Sequence, residues 1–231
     1  MREIVLDTET TGLDPNEGHR IVEIGAVELI NHLPTGEVYH QYINPERSMP
    51  KEAFDVHGLG DEFLRDQPAF SEIVDAFIGF IGSDTQLVIH NAEFDMRMIN
   101  AELSRLDRTI LPMSRSTDTL HLARKKFPGA QASLDALCRR YHIDNSAREK
   151  HGALLDSELL AEVYLELLGG RQRGLSLEVS RTDVVGTSNT GGGRARKRPS
   201  PLPSRLTEDE RAAHDAFVAE IENPVWMRGG P

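Results

Sequence analysis

Short apolar runs separated by polar turns predict five strands within residues 1 to about 170. The first run, Ile4-Val5-Leu6, contains β-branched residues and is typical of a strand buried in a sheet. The first three predicted strands lie close together in the sequence, which favours an antiparallel meander, and Gly36 is a turn signal between two of them. The strands span residues 3–7, 22–30, 37–43, 86–90 and 115–118.

Helical periodicity predicts the elements that follow the first three strands. In the last of these helices, Leu155, Leu159, Val163 and Leu167 recur at the spacing that places them on one apolar face. Three strands followed by alternating helices and strands indicate an α/β fold, a mixed sheet flanked by helices. The helices span about residues 69–82, 93–106, 119–127, 133–141 and 153–168.

The composition changes after Gly169-Gly170. Residues 180–204 are rich in Gly, Ser, Thr, Arg and Pro, which is typical of a flexible linker. The basic cluster from Arg194 to Arg198 would suit nucleic acid, but a solvated linker is the favoured interpretation. We therefore predict a first domain over residues 1–171, a linker over 172–204 and a further segment over 205–231.

The C-terminal segment has the features of a docking peptide. Residues 206–222 are predicted to be helical, with Thr207 as the N-cap and Glu210 completing a capping box. The single tryptophan, Trp226, lies in a tail too short to build a core, which favours docking on a partner protein. The alternative is that the segment folds back onto the first domain, for which a linker of about 25 residues would be needless.

Composition and charge narrow the class of protein. The chain has 231 residues, 39% of them hydrophobic, and a net charge of −11, which argues against binding nucleic acid by bulk electrostatics. It does not exclude a phosphodiester substrate, because a carboxylate-lined metal site acts on phosphates through the metal. No run approaches the ~18 to 20 apolar residues of a membrane span, and no signal pattern opens the chain. The single cysteine, Cys138, is expected in the core and favours a reducing cytoplasm.

Two acids follow the first apolar run. Asp7 and Glu9 are alternate residues of the predicted strand and therefore point to the same face. Neighbouring carboxylates repel each other unless a positive charge lies between them. Hard divalent cations such as Mg²⁺ prefer oxygen ligands of this kind, so the pair predicts a metal site.

Three more residues are predicted at the ends of sheet elements. Asp95 lies on the first turn of the helix after the strand Leu87-Val88-Ile89, where its ordinary role would be to satisfy the helix dipole. Asp156 projects from the first turns of the predicted helix 153–168, and His151 precedes that helix in a loop. A loop histidine beside acids can hold a proton near neutral pH. Each residue alone would be unremarkable, but their common position favours one site.

These motifs together resemble the histidine variant of the DEDD exonuclease superfamily. The Tyr variant would carry its Tyr where this chain has Gly152. Within the superfamily the sequence is most similar to the family of epsilon, or proofreading, subunits of bacterial DNA polymerase III. The matching segments are Asp7-x-Glu9, Val56-His57-Gly58-Leu59, Asn91-x-x-Phe94-Asp95, Ser116-Thr117-Asp118-Thr119-Leu120 and His151-x₄-Asp156.

The resemblance implies a ribonuclease H-like fold and a metal-dependent mechanism. Asp7 would bridge two divalent ions, Mg²⁺ or Mn²⁺, about 3.5–4 Å apart, and Glu9, Asp95 and Asp156 would complete their ligand shells. Asp7, Glu9 and Asp156 would thereby also face the substrate. His151 would act as the general base, which is worth ~10² to 10⁴ in rate. Nucleoside 5′-monophosphates would leave stepwise from the 3′ end.

Further substrate contacts follow from the same family pattern. Glu52 would bond the terminal 3′-hydroxyl, and His57 would lie near the terminal nucleotide. Leu13 and Phe94 would press on the terminal bases, since stacking on a base is indifferent to sequence. Alternatives stay open at this point: His57 would also serve as a turn cap, Phe94 as a core residue, and Asp118 as a backbone acceptor.

The resemblance also implies partners. Residues 206–231 would bind the alpha subunit of DNA polymerase III, and Gln172 to Leu177 is similar to a sliding-clamp-binding peptide. The expected function is proofreading of mismatched DNA 3′ ends in a cytoplasmic, nucleoid-associated bacterial replisome, with no membrane contact. The alternatives are a stand-alone 3′→5′ exoribonuclease of the same fold and a non-catalytic adaptor that links replication proteins. The intact acid set speaks against the adaptor.

Overall fold

A computed structural model describes residues 1–146, 148, 150–170 and 207–221. Two compact units divide the chain, Met1–Leu177 and Glu178–Pro231. The predicted linker, the clamp-like peptide from Gln172 to Leu177, and the tail with Trp226 lie outside the described residues. The predicted domain limits at residues 171 and 204 therefore stay predictions.

The first unit is built on a five-stranded mixed sheet with the strand order β3-β2-β1-β4-β5. β1, β2 and β3 are antiparallel to one another, while β4 runs parallel to β1 and β5 parallel to β4. This confirms the predicted meander and mixed sheet. The strands are β1 Arg2–Thr10, β2 Ile21–Ile30, β3 Leu33–Tyr42, β4 Gln86–Ile89 and β5 Ser116–Asp118.

Eight α-helices accompany the strands in the described part of the chain. The sequence pattern predicts all of them except α1 and α2, which are too short to show a sustained helical period. None of the helices in the described residues is both long and apolar enough to cross a membrane. They are α1 Lys51–His57, α2 Asp61–Leu64, α3 Phe70–Ile81, α4 Ala92–Arg105, α5 Thr119–Lys126, α6 Leu134–Tyr141, α7 Ala153–Leu167 and α8 Glu208–Ala219.

The turn predicted at Gly36 is wrong. The chain reverses between β2 and β3 at Asn31 and His32, whose φ angles are 53° and 68°. Positive φ at both central residues is the geometry of a two-residue hairpin that follows the twist of its strands. Gly36 instead lies within β3 with φ 94°, next to a shift in the register between β2 and β3. The glycine therefore relieves an irregularity in the strand, a role that Gly also takes inside strands.

Alternate residues of β1 face two different cores. Ile4 and Leu6 belong to the core beneath α3 and α4, whereas Val5 belongs to the core beneath α6 and α7. The predicted apolar face of α7 is confirmed, with Leu155 packed more loosely than the other three residues. Cys138 is fully buried in the same core, as predicted. β1 is thus covered on both faces, and its polar residues collect at its ends.

The described part of the second unit is the helix α8. Thr207 accepts a hydrogen bond from the backbone N–H of Glu210, and the Glu210 carboxylate accepts one from the backbone N–H of Thr207. This is the predicted capping box. Since such a box satisfies two N–H groups that a helix start leaves free, the sequence itself encodes where α8 begins.

Candidate active site

The carboxyl end of β1 opens into a cavity of about 720 Å³. Asp7 and Glu9 line it from the same face of the strand, and Glu9 is only 8% exposed. The parallel strand β4 ends beside them, so the residues that follow β4 reach the same edge of the sheet. Asp95, His151 and Asp156 also line this cavity. The five residues predicted as catalytic are therefore brought together.

Asp95 is held by the connection from β4 to α4. Asn91 takes up a left-handed conformation there, with φ 66°, and its N–H donates to the Asp118 carboxylate at 3.0 Å. The same Asp118 oxygen accepts from the N–H of Leu120, so Asp118 bonds backbone, as its alternative interpretation proposed. Asp95 follows on the first turn of α4, buried, and accepts a hydrogen bond from Thr8 Oγ1 at 2.7 Å. A short turn and one hydroxyl thus fix this carboxylate against β1.

Asp156 is placed by an unusually close approach of α7 to β2. A Cβ on Gly25 would lie 2.2 Å from backbone atoms of Ala153 and Leu154. Ser157 Oγ donates to the Gly25 carbonyl at 2.9 Å, and Gly25 pairs with Asp7 across the sheet. The helix start therefore sits directly beside the acids of β1. Sequence reasoning missed Gly25, although a glycine inside a strand pattern is a known signal of close backbone approach.

The donor set fits a divalent cation. Ligand atoms of Glu9, His151 and Asp156 all lie within 4.8 Å of one another. Asp7 and Asp95 add further carboxylate oxygens at the same cavity wall. Carboxylates with one imidazole suit Mg²⁺ and Mn²⁺ better than sulfur-loving metals.

The buried acids raise one another's proton affinity. Burial raises the pKa of Asp7 well above its ordinary value, and the charges of Asp95 and Glu9 raise it further. Burial likewise raises the pKa of Glu9 to about 8. For Asp95, burial outweighs the hydrogen bond from Thr8 and brings the pKa to about 7. A positive ion at this position would offset all three shifts.

Asp156 differs from the other acids because a guanidinium already faces it. Arg148 donates from Nε to Asp156 Oδ1 at 2.5 Å and from Nη2 to Oδ2 at 2.7 Å. Burial would raise the pKa of Asp156, but the hydrogen bonds from His151 and Arg148 outweigh it, and the pKa is lowered. Sequence reasoning missed Arg148, since a lone basic residue in a polar loop carries no motif.

His151 stands at the open side of the cavity. Its side chain is half exposed, and its backbone N–H donates to the Val56 carbonyl at 3.3 Å. Its Nδ1 lies 2.8 Å from Arg148 Nη2 and 3.4 Å from Asp156 Oδ2. The hydrogen bond with Asp156 raises the pKa of His151 more than burial and Arg148 lower it. An imidazole in this position can exchange a proton with a molecule in the cavity near neutral pH.

The structure places the other predicted substrate contacts in different surroundings. Phe94 lines the cavity and also packs against the core, so both of its interpretations fit. Leu13 is 76% exposed, and Glu52 is exposed on α1. His57 is buried, and its Nδ1 accepts the N–H of Leu59 at 3.0 Å, which is the turn-capping alternative. Leu13, Glu52 and His57 are not among the residues that line the cavity, and their substrate roles stay predictions.

Comparisons with known sequences agree with this geometry. The exonuclease family matches residues 4–164. DNA polymerase III subunit epsilon of Rickettsia conorii is 49% identical over 224 residues, which cover 96% of each chain. The protein of the same name from Escherichia coli is 46% identical over 230 residues, covering 96% of this chain and 93% of the relative.

A solved structure shows the same fold. The nuclease domain of 3′hExo, described as a DEDDh family member bound to rAMP, superposes with a TM-score of 0.63 at 19% identity. The match covers 72% of this chain and 91% of that domain. At this identity the likeness is one of fold alone, and it confirms the predicted ribonuclease H-like sheet with flanking helices.

Proposed function

Because the chain belongs to the exonuclease family and, within it, to the DNA polymerase III epsilon subunits, we propose that it is a 3′→5′ exodeoxyribonuclease that proofreads for a replicative polymerase. The observation that supports this most is the meeting of four acids and one histidine in a single cavity. They come from β1, from α4, from α7 and from the loop before α7. A chain that served only as an adaptor would have no use for such a cluster of mutually repelling acids.

The family uses divalent metal, and Mg²⁺ or Mn²⁺, bound as a pair of ions, is the form we propose here. Asp7, Glu9, Asp95 and Asp156 would hold the ions. When bound, the metal supplies charge stabilisation at the scissile phosphate and a lowered pKa for the attacking water. Thr8 keeps one Asp95 oxygen engaged at 2.7 Å, so that carboxylate is oriented before any ligand arrives.

His151 is proposed as the general base. Its ring is half exposed to the cavity, and its contact with Asp156 fixes its position relative to the acids. General-base assistance of this kind is worth ~10² to 10⁴ in rate. In the neutral form the ring has one acceptor nitrogen, which is the one that would receive the proton of the attacking water.

The size of the cavity fits a nucleotide at a strand end. At about 720 Å³ it is in the range of pockets that enclose a small molecule. We propose that the terminal nucleotide separates from its partner strand before cleavage. A mismatched terminus separates at lower cost, because it lacks the pairing energy that must be overcome to separate a correct base pair. Phe94 and Leu13 would contact the freed bases, while Glu52 and His57 would meet the terminal sugar.

The C-terminal segment is proposed as the tether to the replisome. α8 carries its own capping box, which supports a helix able to form on a partner. Residues 206–231 would bind the alpha subunit of the polymerase, and Gln172 to Leu177 would bind the sliding clamp. Tethering through the predicted linker would raise the local concentration to about the mM range. An acidic protein would in this way reach DNA in the bacterial cytoplasm.

The test is degradation of a 5′-labelled primer–template, matched and mismatched, with Mg²⁺, with Mn²⁺ and with EDTA. We expect a metal-dependent ladder that forms faster from the mismatched primer. An RNA primer of the same sequence separates the alternatives. Cleavage of RNA without DNA would identify a stand-alone exoribonuclease, and no cleavage of either would leave the adaptor.

A further inference from the structure

Arg148 is a buried basic side chain at the cavity, and it contacts several of the cavity's polar groups. Its side chain is only 8% exposed, although it lies in the polar loop before α7. Besides its two hydrogen bonds to Asp156, it donates from Nη1 to Asp135 Oδ1 at 2.7 Å. Its Nη2 also lies 2.8 Å from His151 Nδ1. One guanidinium thus joins a proposed metal ligand, the proposed general base and a carboxylate on α6.

Arg148 contacts two groups that the proposed reaction needs, the Asp156 carboxylate and the His151 imidazole. Both oxygens of Asp156 accept hydrogen bonds from Arg148, in the paired geometry that guanidinium and carboxylate favour. Nη2 of the same guanidinium lies 2.8 Å from His151 Nδ1, so Arg148 also contacts the edge of the imidazole that faces Asp156.

A divalent cation at Asp156 would be incompatible with the guanidinium in this position. Two positive charges at one buried carboxylate repel each other strongly where water does not screen them. Without the guanidinium, the buried Asp156 carboxylate would lack a positive partner, which is costly. Arg148 and a metal ion therefore satisfy the same need of the same carboxylate.

We propose that Arg148 is a positioning residue that closes the metal-free site as a latch, and that a divalent cation binds at Asp156 by displacing it. The same displacement would remove the guanidinium from its place beside His151 Nδ1. The inference rests on the proposed metal use of this site, but it concerns a residue outside the acid set.

The test is calorimetric titration of Mn²⁺ into the full-length, metal-free chain. We expect R148Q to bind Mn²⁺ about tenfold more tightly than wild type, which is about 1.4 kcal/mol. Removing any positive charge would favour a cation somewhat, so the charge-preserving R148K decides the case. A lysine cannot form the paired geometry, so we expect R148K also to bind more tightly than wild type.

Two controls separate the latch from general electrostatics. Arg124 lines the same cavity and, among the described residues, makes no ion pair and no side-chain hydrogen bond, so R124Q removes an equal charge without opening a latch. We expect R124Q to change the Mn²⁺ affinity by less than about threefold. In the D156N background, R148Q should no longer tighten binding, because the shared carboxylate is gone.

The outcomes keep the latch and the proposed function apart. Equal or weaker Mn²⁺ binding by R148K would overturn the latch, while wild-type binding and nuclease activity would still uphold the exonuclease. Absence of Mn²⁺ binding by wild type would overturn both. If R148Q fails to fold, R148K carries the test, since it keeps a positive charge beside Asp156.

Discussion

Strand β1 buries acidic side chains at both of its ends, but the two ends treat them differently. Glu3, at one end, is 1% exposed and accepts a hydrogen bond from Tyr164 Oη at 2.8 Å. His32 Nδ1 lies 2.6 Å from the other Glu3 oxygen, at ion-pair distance but without hydrogen-bond angles. At the other end, Asp7 and Glu9 face further acids. One end gives its acid a hydroxyl donor and a nearby imidazole, and the other end places several acids together.

The two ends are joined by the same pair of elements. Glu3 and Asp7 share a face of β1 about 13 Å apart, and Tyr164 and Asp156 share a face of α7 about 12 Å apart. The helix therefore presents a donor to one acid of the strand and a further acid to the other. A buried carboxylate is stable where a neutral donor meets it, and it becomes available to a cation where other carboxylates do.

The strongest test of the difference between the two ends of β1 is to neutralise one acid at each end. D7N should lower DNA degradation by about 10³-fold, since a metal ligand is worth several kcal/mol in the transition state. It should leave the metal-free melting temperature unchanged or higher, because one repelling charge is removed. Kinetics on a labelled single strand and thermal melting in EDTA measure the two effects.

The matched change at the other end is E3Q. It should leave degradation within about twofold of wild type and lower the free energy of unfolding by roughly 1–3 kcal/mol, since a buried hydrogen-bonding group is disturbed. Equal losses of activity in D7N and E3Q would show that the two ends do not differ in kind.

A second variant tests whether α7 must approach the sheet so closely at the active end. G25A would place a methyl group against the backbone of Ala153, and we expect degradation to fall by about 10²-fold, because small displacements of catalytic groups are costly. Overpacking should also destabilise the fold by about 1–3 kcal/mol. G79A is the control, because a Cβ there meets nothing and alanine favours the interior of α3. Full activity in G25A would contradict the proposed placement of Asp156.

The end of β1 that carries Asp7 and Glu9 should also make stability depend on pH. The folded protein holds the Glu9 proton more tightly than the unfolded chain, with a pKa of about 8 against an ordinary 4.5. Its contribution is therefore full below pH 4.5 and is lost as the pH rises through 8. We expect the melting temperature in EDTA to fall across this range, because the free energy of unfolding decreases by up to about 1.4 kcal/mol per pH unit for one proton.

Two additions isolate the cause of that slope. E9Q should flatten it, since the titrating group is gone. Mn²⁺ should stabilise the protein more at high pH than at low pH, because metal binds the deprotonated acids. A melting temperature in EDTA that is level between these pH values would contradict the raised pKa of Glu9.

The smallest expected effect on degradation lies at the Glu3 end of β1. Y164F removes only the hydroxyl that donates to Glu3, and we expect a loss of about 1–3 kcal/mol in unfolding free energy with unchanged degradation. Chemical denaturation at constant pH measures it. A change in degradation would mean that the two ends communicate through α7.

The sequence alone was sufficient for what local pattern encodes. The apolar run Ile4-Val5-Leu6 and the acids that follow it predict both β1 and the site at its end. The Thr207 capping box predicts where α8 begins. These features depend on neighbours within a few residues, so periodicity and capping rules find them.

Features that depend on contacts between residues far apart in the chain were not predicted from the sequence pattern. Gly25 matters because of where α7 passes, and Arg148 matters because of a carboxylate eight residues away and of Asp135 on another helix. The turn predicted at Gly36 was wrong for a related reason, because glycine is favoured both in turns and at irregularities within strands. The short helix α1 shows too few turns for a period to be seen.

The contact between Ser157 and Gly25 also bears on when the site is completed during synthesis of the chain. It joins residues 132 positions apart, and Asp156 reaches β1 only when that contact forms. At about 5–20 residues per second, a ribosome needs roughly 7–26 s to make the intervening chain. Through that interval Asp7 and Glu9 exist without Asp156, so on the proposed mechanism the growing chain would be unable to cut nucleic acid beside it. Activity would then begin only when synthesis of the first domain is nearly finished.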